Sequence, residues 1–507
     1  MATETREIER KYEAAEPLAL PDLGGLPGVA ALLGPDELAL DATYFDTADR
    51  RLLAEGVTLR RRTGGDDAGW HLKLPLGPDT REEIRLPLGR YRKVPATLAT
   101  LVRAHTRGGD LTPIGRLRTT RRRWHLVDTE GAVLAEVVID DVSAQTMGES
   151  ATLDTWQEAE VELVNGDLTL LSTVDERFAA AGARRSTSKS KIGRLLGTPP
   201  RPVFAHTPPR PLTKKSAAIT VVLAYLRAQA AALVAGDILI RRDKPDAVHQ
   251  MRVATRRLRS TLRAYGKVID KEQTGRLSDE LKWLGAVLGA ARDLEVLHDR
   301  LTQHIQDTPD DLVLGPVKAR VEGHYRQEFA AARKKVLAEL DGQRYLDLLC
   351  LLEFALSEPP PTRLATHPAK DVLPQQVRRA YRKLDRAMTA AATKDGPEQE
   401  LALHEARKAA KRARYAAEAL EPVFGKNATR FRKRMKDLQT HLGHHQDAVV
   451  SRQALRELGS QAHLATENGF TYGLFLGRDE ARAAQFRTEL PALWRKASAT
   501  KLRKWLR

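Results

Sequence analysis

The chain has 507 residues, too many for one hydrophobic core, and 83 Lys and Arg against 66 Asp and Glu leave a net charge of +17. That balance points to an acidic partner: nucleic acid, an anionic membrane surface or a polyphosphate-like anion. One cysteine, Cys350, excludes an internal disulfide and fits a reducing compartment, and aromatics at 5% are poor material for stacking single-stranded bases.

Residues 1 to about 196 read as mostly strand. Glu7-Ile8-Glu9-Arg10-Lys11 alternates, so Glu7, Glu9 and Lys11 share one face of an extended segment. Further strands are expected at 42–45, 57–62, 70–74, 82–88, 116–127, 133–142 and 156–163. Turn signals such as Thr63-Gly64-Gly65-Asp66-Asp67 and Thr129-Glu130-Gly131 make these hairpins, hence an antiparallel sheet or barrel. Glu158, Glu160 and Glu162 share a face, as do Arg60 and Arg62, and Arg121 and Arg123. A charged strand face is ordinarily the solvated one. In a closed barrel, however, one set of faces points inward, and a lining of both signs suits a divalent cation carrying a polyanion.

Glu7-x-Glu9-x-Lys11, Leu59-Arg60-Arg61-Arg62, Leu72-Lys73, Arg81-x-Glu83, Glu160-x-Glu162 and Ser188-Lys189 occur in the order in which similar motifs occur in the CYTH family of triphosphate tunnel metalloenzymes. The resemblance implies an eight-stranded antiparallel tunnel acting on triphosphates with Mg²⁺ or Mn²⁺. It implies metal ligands and catalytic carboxylates at Glu7, Glu9, Glu160 and Glu162, with Lys11 beside them. Lys11, Arg60, Arg62, Lys73, Arg121 and Lys189 would grip phosphate oxygens. The run Arg121-Arg122-Arg123 leaves the register open by one residue. Asp140 and Asp141 are candidates either to support the metal or to form a turn.

Six prolines between 199 and 211 (Pro199, Pro200, Pro202, Pro208, Pro209 and Pro211) mark a stiff linker, taken as 197–212. Beyond it the composition turns helical, with a first helix expected from Thr213, as its cap, to Asp237. From Val248 to Arg263 the apolar positions recur at helical spacing, and His249, Arg252, Arg256, Arg259 and Arg263 form one stripe at i, i+3, i+7, i+10 and i+14. Four guanidiniums with no interleaved acid repel each other unless an anion sits on them. The stretch recurs 155 positions later: His404, Arg407, Lys411, Arg412 and Arg414 match His249, Arg252, Arg256, Arg257 and Arg259. Leu284, Leu288, Gly289 and Asp293 likewise match Leu438, Leu442, Gly443 and Asp447 at an offset of 154. The helical half is therefore a duplicated unit, about 213–357 and 364–507, separated near Pro359-Pro360-Pro361.

His-x-x-Arg-x-x-x-Arg-Arg-x-Arg and Gly-x-x-x-Asp, each present twice, resemble the CHAD domain, a histidine-containing helical domain often joined to CYTH. The resemblance implies binding of inorganic polyphosphate by His249, Arg252, Arg256, Arg257, Arg259, Arg263, His404, Arg407, Lys408, Lys411, Arg412 and Arg414. A basic helix face is usually only solvated, but nine Lys or Arg against two Asp over 241–267 recur as eleven against three acids over 404–436. Asp293 and Asp447 are expected to pair with the basic stripe. His441, His444 and His445 have no mates in the first repeat and make a weak metal signal.

The expected architecture is multidomain α+β: an antiparallel eight-stranded β tunnel over 1–196, then an all-α domain of two pseudo-symmetric four-helix bundles over 213–507. The expected function is metal-dependent tripolyphosphate hydrolysis in the tunnel with polyphosphate binding by the helices. The alternatives are a non-catalytic polyphosphate-binding protein and a nucleotide-acting enzyme of the class IV adenylyl cyclase or thiamine triphosphatase type. Lacking a recognition helix or aromatic platform, the chain is not expected to take nucleic acid. No secretory signal is visible, and no uncharged apolar run approaches the ~18 residues that span a bilayer. The expected setting is the cytoplasm, with or without polyphosphate granules, without a membrane or an obligate protein partner.

Overall fold

The computed structural model describes residues 3–14, 17–89, 93–148, 151–197, 202–204 and 210–507. The linker residues Pro199, Pro200, Pro208 and Pro209 lie outside the described residues. Two compact units are present, Met1–Val203 and Phe204–Arg507.

The first unit is built from β1 (Thr3–Glu13), β2 (Ala31–Asp46), β3 (Thr58–Thr63), β4 (Gly69–Pro75), β5 (Thr80–Pro87), β6 (Thr112–Val127), β7 (Val133–Thr146) and β8 (Leu153–Leu163). Every pairing is antiparallel, in the order β1-β5-β4-β3-β2-β6-β7-β8 and back to β1. Closure falls on β1, whose first half (Thr3–Ile8) pairs with β5 and whose second half (Glu9–Tyr12) pairs with β8. All eight expected strands are found. β2 begins eleven residues earlier than the expected Ala42, and its first half runs beside β6 despite Gly34-Pro35.

This barrel inverts the usual arrangement of a small barrel. Val137, Ile139, Ala159, Val161, Trp124 and Leu126 belong to an apolar layer with Leu170, Leu171, Val174 and Phe178 of the helix Leu168–Ala180. Asp167 caps that helix, accepting from Thr169 N at 2.9 Å and Leu170 N at 3.0 Å. With the apolar positions packed under a helix, the period of two turns the alternate, charged positions into the tunnel. A second apolar layer, including Tyr44, Leu117, Val142 and Trp156, packs against Ile192 of the short helix Lys191–Leu196.

The second unit is all helix: α1 (Ala218–Arg241), α2 (Ala247–Ala264), α3 (Gly275–Gln306), α4 (Val317–Asp341), α5 (Gln343–Ser357), α6 (Ala369–Ala392), α7 (Gly396–Glu418), α8 (Lys426–Leu464) and α9 (Phe470–Ala497). Consecutive helices pack together within α1–α4 and within α6–α9, and the two sets meet along α2 and α7. The first repeat carries an additional helix, α5, which lies against α1, α3 and α4.

The expected start of α1 is corrected. Its N-cap is Ala217, with no side-chain cap, and it runs four residues past Asp237. Thr213 instead closes a local turn, taking part in hydrogen bonds with Ser216 and Lys215. α1 is long and apolar enough to cross a membrane by length and composition, yet half of that apolar stretch is buried inside the protein. It serves as a core helix.

Candidate functional site

The tunnel cavity, about 250 Å³, is lined by nine Lys and Arg and seven Asp and Glu. Inward positions of β1, β3, β4, β6 and β8 deliver Glu7, Glu9, Lys11, Arg60, Arg62, Lys73, Arg121, Glu160 and Glu162, as their spacing in the sequence requires. Of the residues expected in the tunnel, only Lys189 is not brought there. Its side chain is exposed, and its carbonyl accepts from Arg81. Lys191 lines the cavity instead, 2.7 Å from both Glu158 and Glu160 and 3.0 Å from Asp140. The doublet Ser188-Lys189-Ser190-Lys191 offers two equivalent choices, and only the second serine caps a helix: its Oγ accepts from Gly193 N at 3.1 Å. The remaining charged lining residues that the sequence did not assign are Arg81, Arg85, Arg123 and Glu136, together with Asp66 and Asp67 from the β3–β4 turn.

Two ion-pair lattices divide the lining. On one side Lys73 Nζ lies 2.6 Å from Glu7 and 3.7 Å from Glu83, while Arg85 reaches Glu7 at 3.4 Å. On the other, Arg121 binds Asp140 through two hydrogen bonds of 2.8 Å and Glu160 at 3.3 Å, and Lys11 also pairs with Glu160. Asp140 is fully buried and supports both Arg121 and Lys191, whereas Asp141 is exposed and pairs with the outward Arg122 at 3.7 Å. The ambiguous register is thereby settled: Arg121 and Arg123 point in, and Arg122 points out.

Electrostatics separate the four glutamates. Burial raises the Glu160 carboxyl, but Lys11, Lys191 and Arg121 outweigh it and hold its pKa well below the ordinary value. Glu9 is held low in the same way, with Lys11 and Lys73 overcoming burial. Glu7 is raised by burial against the pull of Lys73. Burial, then the charge of Glu7, pushes Glu162 up to about 7. Among the cations, burial and then Arg60 and Arg121 push Arg62 down to about 9.

Two features of the lining leave polar capacity unmet. The buried Nε atoms of Arg60, Arg62 and Arg123 donate to nothing among the described residues, so the guanidiniums retain capacity for anionic oxygens. Glu9 Oε1 is buried and accepts no hydrogen bond, its cations lying at 3.3 Å (Arg81) and 3.6 Å (Lys11). Among the described residues no three carboxylates or histidines converge into a ready-made cage. The donor set is nonetheless all carboxylate oxygen, which fits a hard divalent cation. Burial first, and then the charge of Glu7, raise the Glu162 carboxyl, and a divalent cation beside it would favour its ionised form.

In the helical unit the two basic stripes face each other. Arg256 Nε donates to Tyr415 Oη at 3.0 Å, and Tyr265 Oη donates to the Ala416 carbonyl at 2.5 Å. Between them lies a groove of about 490 Å³ lined by Arg256, Arg259, Arg263, Lys408, Lys411 and Arg412. Arg257 and Arg414 are not among its lining residues. Both turn to the half-buried Glu418, at 2.6 and 3.7 Å. The two repeats thus differ: Arg412 serves the groove where its counterpart Arg257 does not, and Arg259 serves it where Arg414 does not.

The Gly-x-x-x-Asp motifs hold the first arginine of each stripe. Arg252 lies 3.0 Å from Asp293 and Arg407 lies 3.8 Å from Asp447. A Cβ on Gly289 or Gly443 would stand 3.6–3.8 Å from those guanidiniums, so any side chain longer than alanine would contend for their place. His249 is half-buried, and burial, then Arg292, holds its pKa below the ordinary value. His404 Nδ1 is 2.8 Å from Gln446 Oε1, the residue equivalent to Arg292. His441 is bound to the Phe486 carbonyl at 2.7 Å and lies 3.8 Å from Glu489.

Comparison with known proteins follows the same division. A CYTH domain model matches residues 5–196 and a CHAD domain model matches residues 224–456. Two Mycobacterium tuberculosis proteins, uncharacterized protein Rv2226 (strain H37Rv) and uncharacterized protein MT2285 (strain CDC 1551), are each 36% identical over 508 residues, covering 97% of this chain and 96% of their own. Among solved structures, PptA from Streptomyces chartreusis aligns with 20% identity and a TM-score of 0.46, over 55% of this chain and 100% of its own. The CHAD domain from the plant Ricinus communis aligns with 26% identity and a TM-score of 0.46, over 58% and 96%. With both domain models in order and relatives matched along nearly their whole length, the chain belongs to the family in which a CYTH domain is followed by a CHAD domain.

Proposed function

We propose that the tunnel hydrolyses an inorganic triphosphate with a divalent cation, Mg²⁺ or Mn²⁺, and that the helical groove binds inorganic polyphosphate. The observation that carries the tunnel reading is a cavity of about 250 Å³ crowded with nine cations and seven acids. Organic-ligand pockets run to about 300–1,000 Å³ and are mostly apolar. Here, among the described residues, the one aromatic lining residue is Tyr44, 3.3 Å from Arg60 and no stacking platform. The site suits a short chain of phosphates better than a nucleotide.

On binding, the tunnel cations exchange partners. Lys73, Arg121 and Lys11 hold glutamates at ion-pair distance, and triphosphate oxygens replace those carboxylates around the cations. That exchange frees Glu7, Glu9 and Glu160 to hold the divalent ion together with Glu162. The bound ion supplies charge neutralisation and a polarised water. Arg60, Arg62 and Arg123 keep unsatisfied Nε donors for the charge that builds on the leaving and transferred groups. Water attacks the terminal phosphorus, the anhydride P–O bond breaks, and orthophosphate and pyrophosphate result. The direct test compares phosphate release from tripolyphosphate and ATP. A kcat/KM at least about tenfold higher for tripolyphosphate is expected; equal or better use of ATP would move the reading to a nucleotide enzyme.

The groove makes a pH-dependent prediction. Burial, then Arg407, Arg256 and Arg252, pushes Lys411 down to about 7. At pH 8 the free groove holds Lys411 neutral, and a bound polyanion restores its charge. Binding at pH 8 should therefore take up close to one proton, and affinity should fall as pH rises through 7. Titration calorimetry in buffers of different ionisation enthalpy reads the uptake directly. Lys411→Met should abolish it; uptake that persists in that variant would contradict the assignment. In the free protein the depressed value makes stability rise with pH between about 7 and 10.5, where the unfolded chain binds the extra proton.

A further inference from the structure

We propose a second phosphate-chain site, in the cleft between α8, α9 and the terminal turns Thr500–Arg503 and Lys504–Leu506. The identity of its ligand rests on the polyphosphate reading of this domain; its position does not. The cleft encloses about 1470 Å³ and shares no residue with the groove between α2 and α7.

Its lining carries seven Lys and Arg against Asp437 and Glu489. Arg432 is answered by Glu421 at 2.6 Å and Arg434 by Asp437 at 3.3 Å. The other five, Arg430, Lys433, Lys436, Lys496 and Lys501, have no carboxylate within ion-pair distance among the described residues. They come from two long helices and the terminal turn, so the concentration of charge is a product of packing and not of one helix face. Trp505 also lines the cleft. Its ring is fixed against Phe424 and Phe431, with centroids 5.4 and 6.2 Å away, and its buried Nε1 donates to nothing among the described residues.

The duplication supplies an internal control. At the offset of 154, Lys433 and Arg434 of α8 replace Asp279 and Glu280 of α3, and Asp437 replaces Trp283. In the first repeat Arg344 of α5 binds Glu280 at 2.7 Å and lies 4.3 Å over the Trp283 ring, while Asp279 keeps an acid on the rim of the groove between α2 and α7. In the second repeat the acids have become cations and the stretch lines an open cleft. Solvation requires charge at such positions but not a change of sign. A phosphate chain does: it presents one negative charge per unit to a row of ammonium and guanidinium groups, and the indole N–H gives a further donor.

The test measures, by titration calorimetry of the full-length protein at low salt and without divalent metal, how many short inorganic polyphosphate chains of defined length bind its helical unit. The chain taken by the tunnel is counted separately through its loss in Arg60→Met/Arg62→Met. The wild-type helical unit should bind two. Lys433→Glu/Lys436→Glu should bind one, as should the groove variant Lys408→Glu/Arg412→Glu; all four residues are solvent-facing enough for the fold to tolerate them. If the first variant is misfolded by circular dichroism, Lys496→Glu/Lys501→Glu reports on the same cleft from another element. One chain per wild-type helical unit, lost in the groove variant and untouched by both cleft variants, overturns the second site. One chain lost only in the cleft variants supports the cleft and overturns the groove reading. No binding by the helical unit overturns both. Tighter binding of RNA or duplex DNA than of polyphosphate, lost in the cleft variants, would overturn the ligand assignment.

Discussion

Asp140→Ala should lower the stability of the tunnel domain by about 3–5 kcal/mol, the effect of removing one partner from a buried ion pair. Asp140 is fully buried and holds Arg121 by two hydrogen bonds of 2.8 Å and Lys191 at 3.0 Å. Without it Arg121 keeps only Glu160 at 3.3 Å and Glu136 at 4.0 Å, and a guanidinium is left inside the barrel with its charge largely unanswered. Burial raises the Asp140 carboxyl, but Lys191 and Arg121 hold its pKa below the ordinary value. Its contribution is therefore present above the ordinary carboxylate range and is lost as pH falls through the depressed value. Hydrogen exchange at β6 and β7 of the full chain reads the loss locally. Adding Arg121→Met to Asp140→Ala should recover part of it, because the stranded charge is gone. A loss below about 1 kcal/mol would show that the lattice is not what holds these strands.

Arg62→Met should behave in the opposite way: kcat/KM for tripolyphosphate falls about 10²–10³-fold, the scale of removing one preorganised donor, while the fold is as stable as before or more so. Arg62 is buried, and burial first, then repulsion from Arg60 and Arg121, pushes its pKa down to about 9. Its acidic partner, Asp67, sits in the β3–β4 turn and is 30% exposed, so water can serve Asp67 when the guanidinium is removed. A charge that the fold tolerates against repulsion, with an unused Nε donor, is one that an anionic ligand uses. Thermal unfolding and steady-state kinetics on the same preparation separate the two effects. A destabilised Arg62→Met with unchanged kcat/KM would make Arg62 structural.

Much of this was legible in the chain. All eight strands follow from period-two alternation, and the inward face is recognisable because Glu7, Glu9, Glu160 and Arg60 recur at positions that would be solvated in an open sheet. The early half of β2 was not, because Gly34-Pro35 reads as a turn, whereas β6 runs alongside on one edge and carries the strand through it. Lys189 and Lys191 have the same local sequence, and only the helix that starts at Lys191 decides which enters the tunnel. In the helical half, spacing located the stripe. It did not foretell that Arg257 and Arg414 turn to Glu418, since a helix position fixes a direction and the neighbouring helix fixes the partner. The additional helix α5, which makes the two repeats unequal, has no signature in the motifs that reveal the duplication.

The most direct measurement of the central claim is ³¹P NMR of tripolyphosphate incubated with the full-length protein and Mg²⁺ or Mn²⁺. The wild type should give equal amounts of orthophosphate and pyrophosphate, and Glu7→Gln or Glu160→Gln should leave the triphosphate spectrum unchanged. An unchanged spectrum from the wild type with either metal, while long-chain polyphosphate is still bound, would contradict the hydrolase and leave a binding protein.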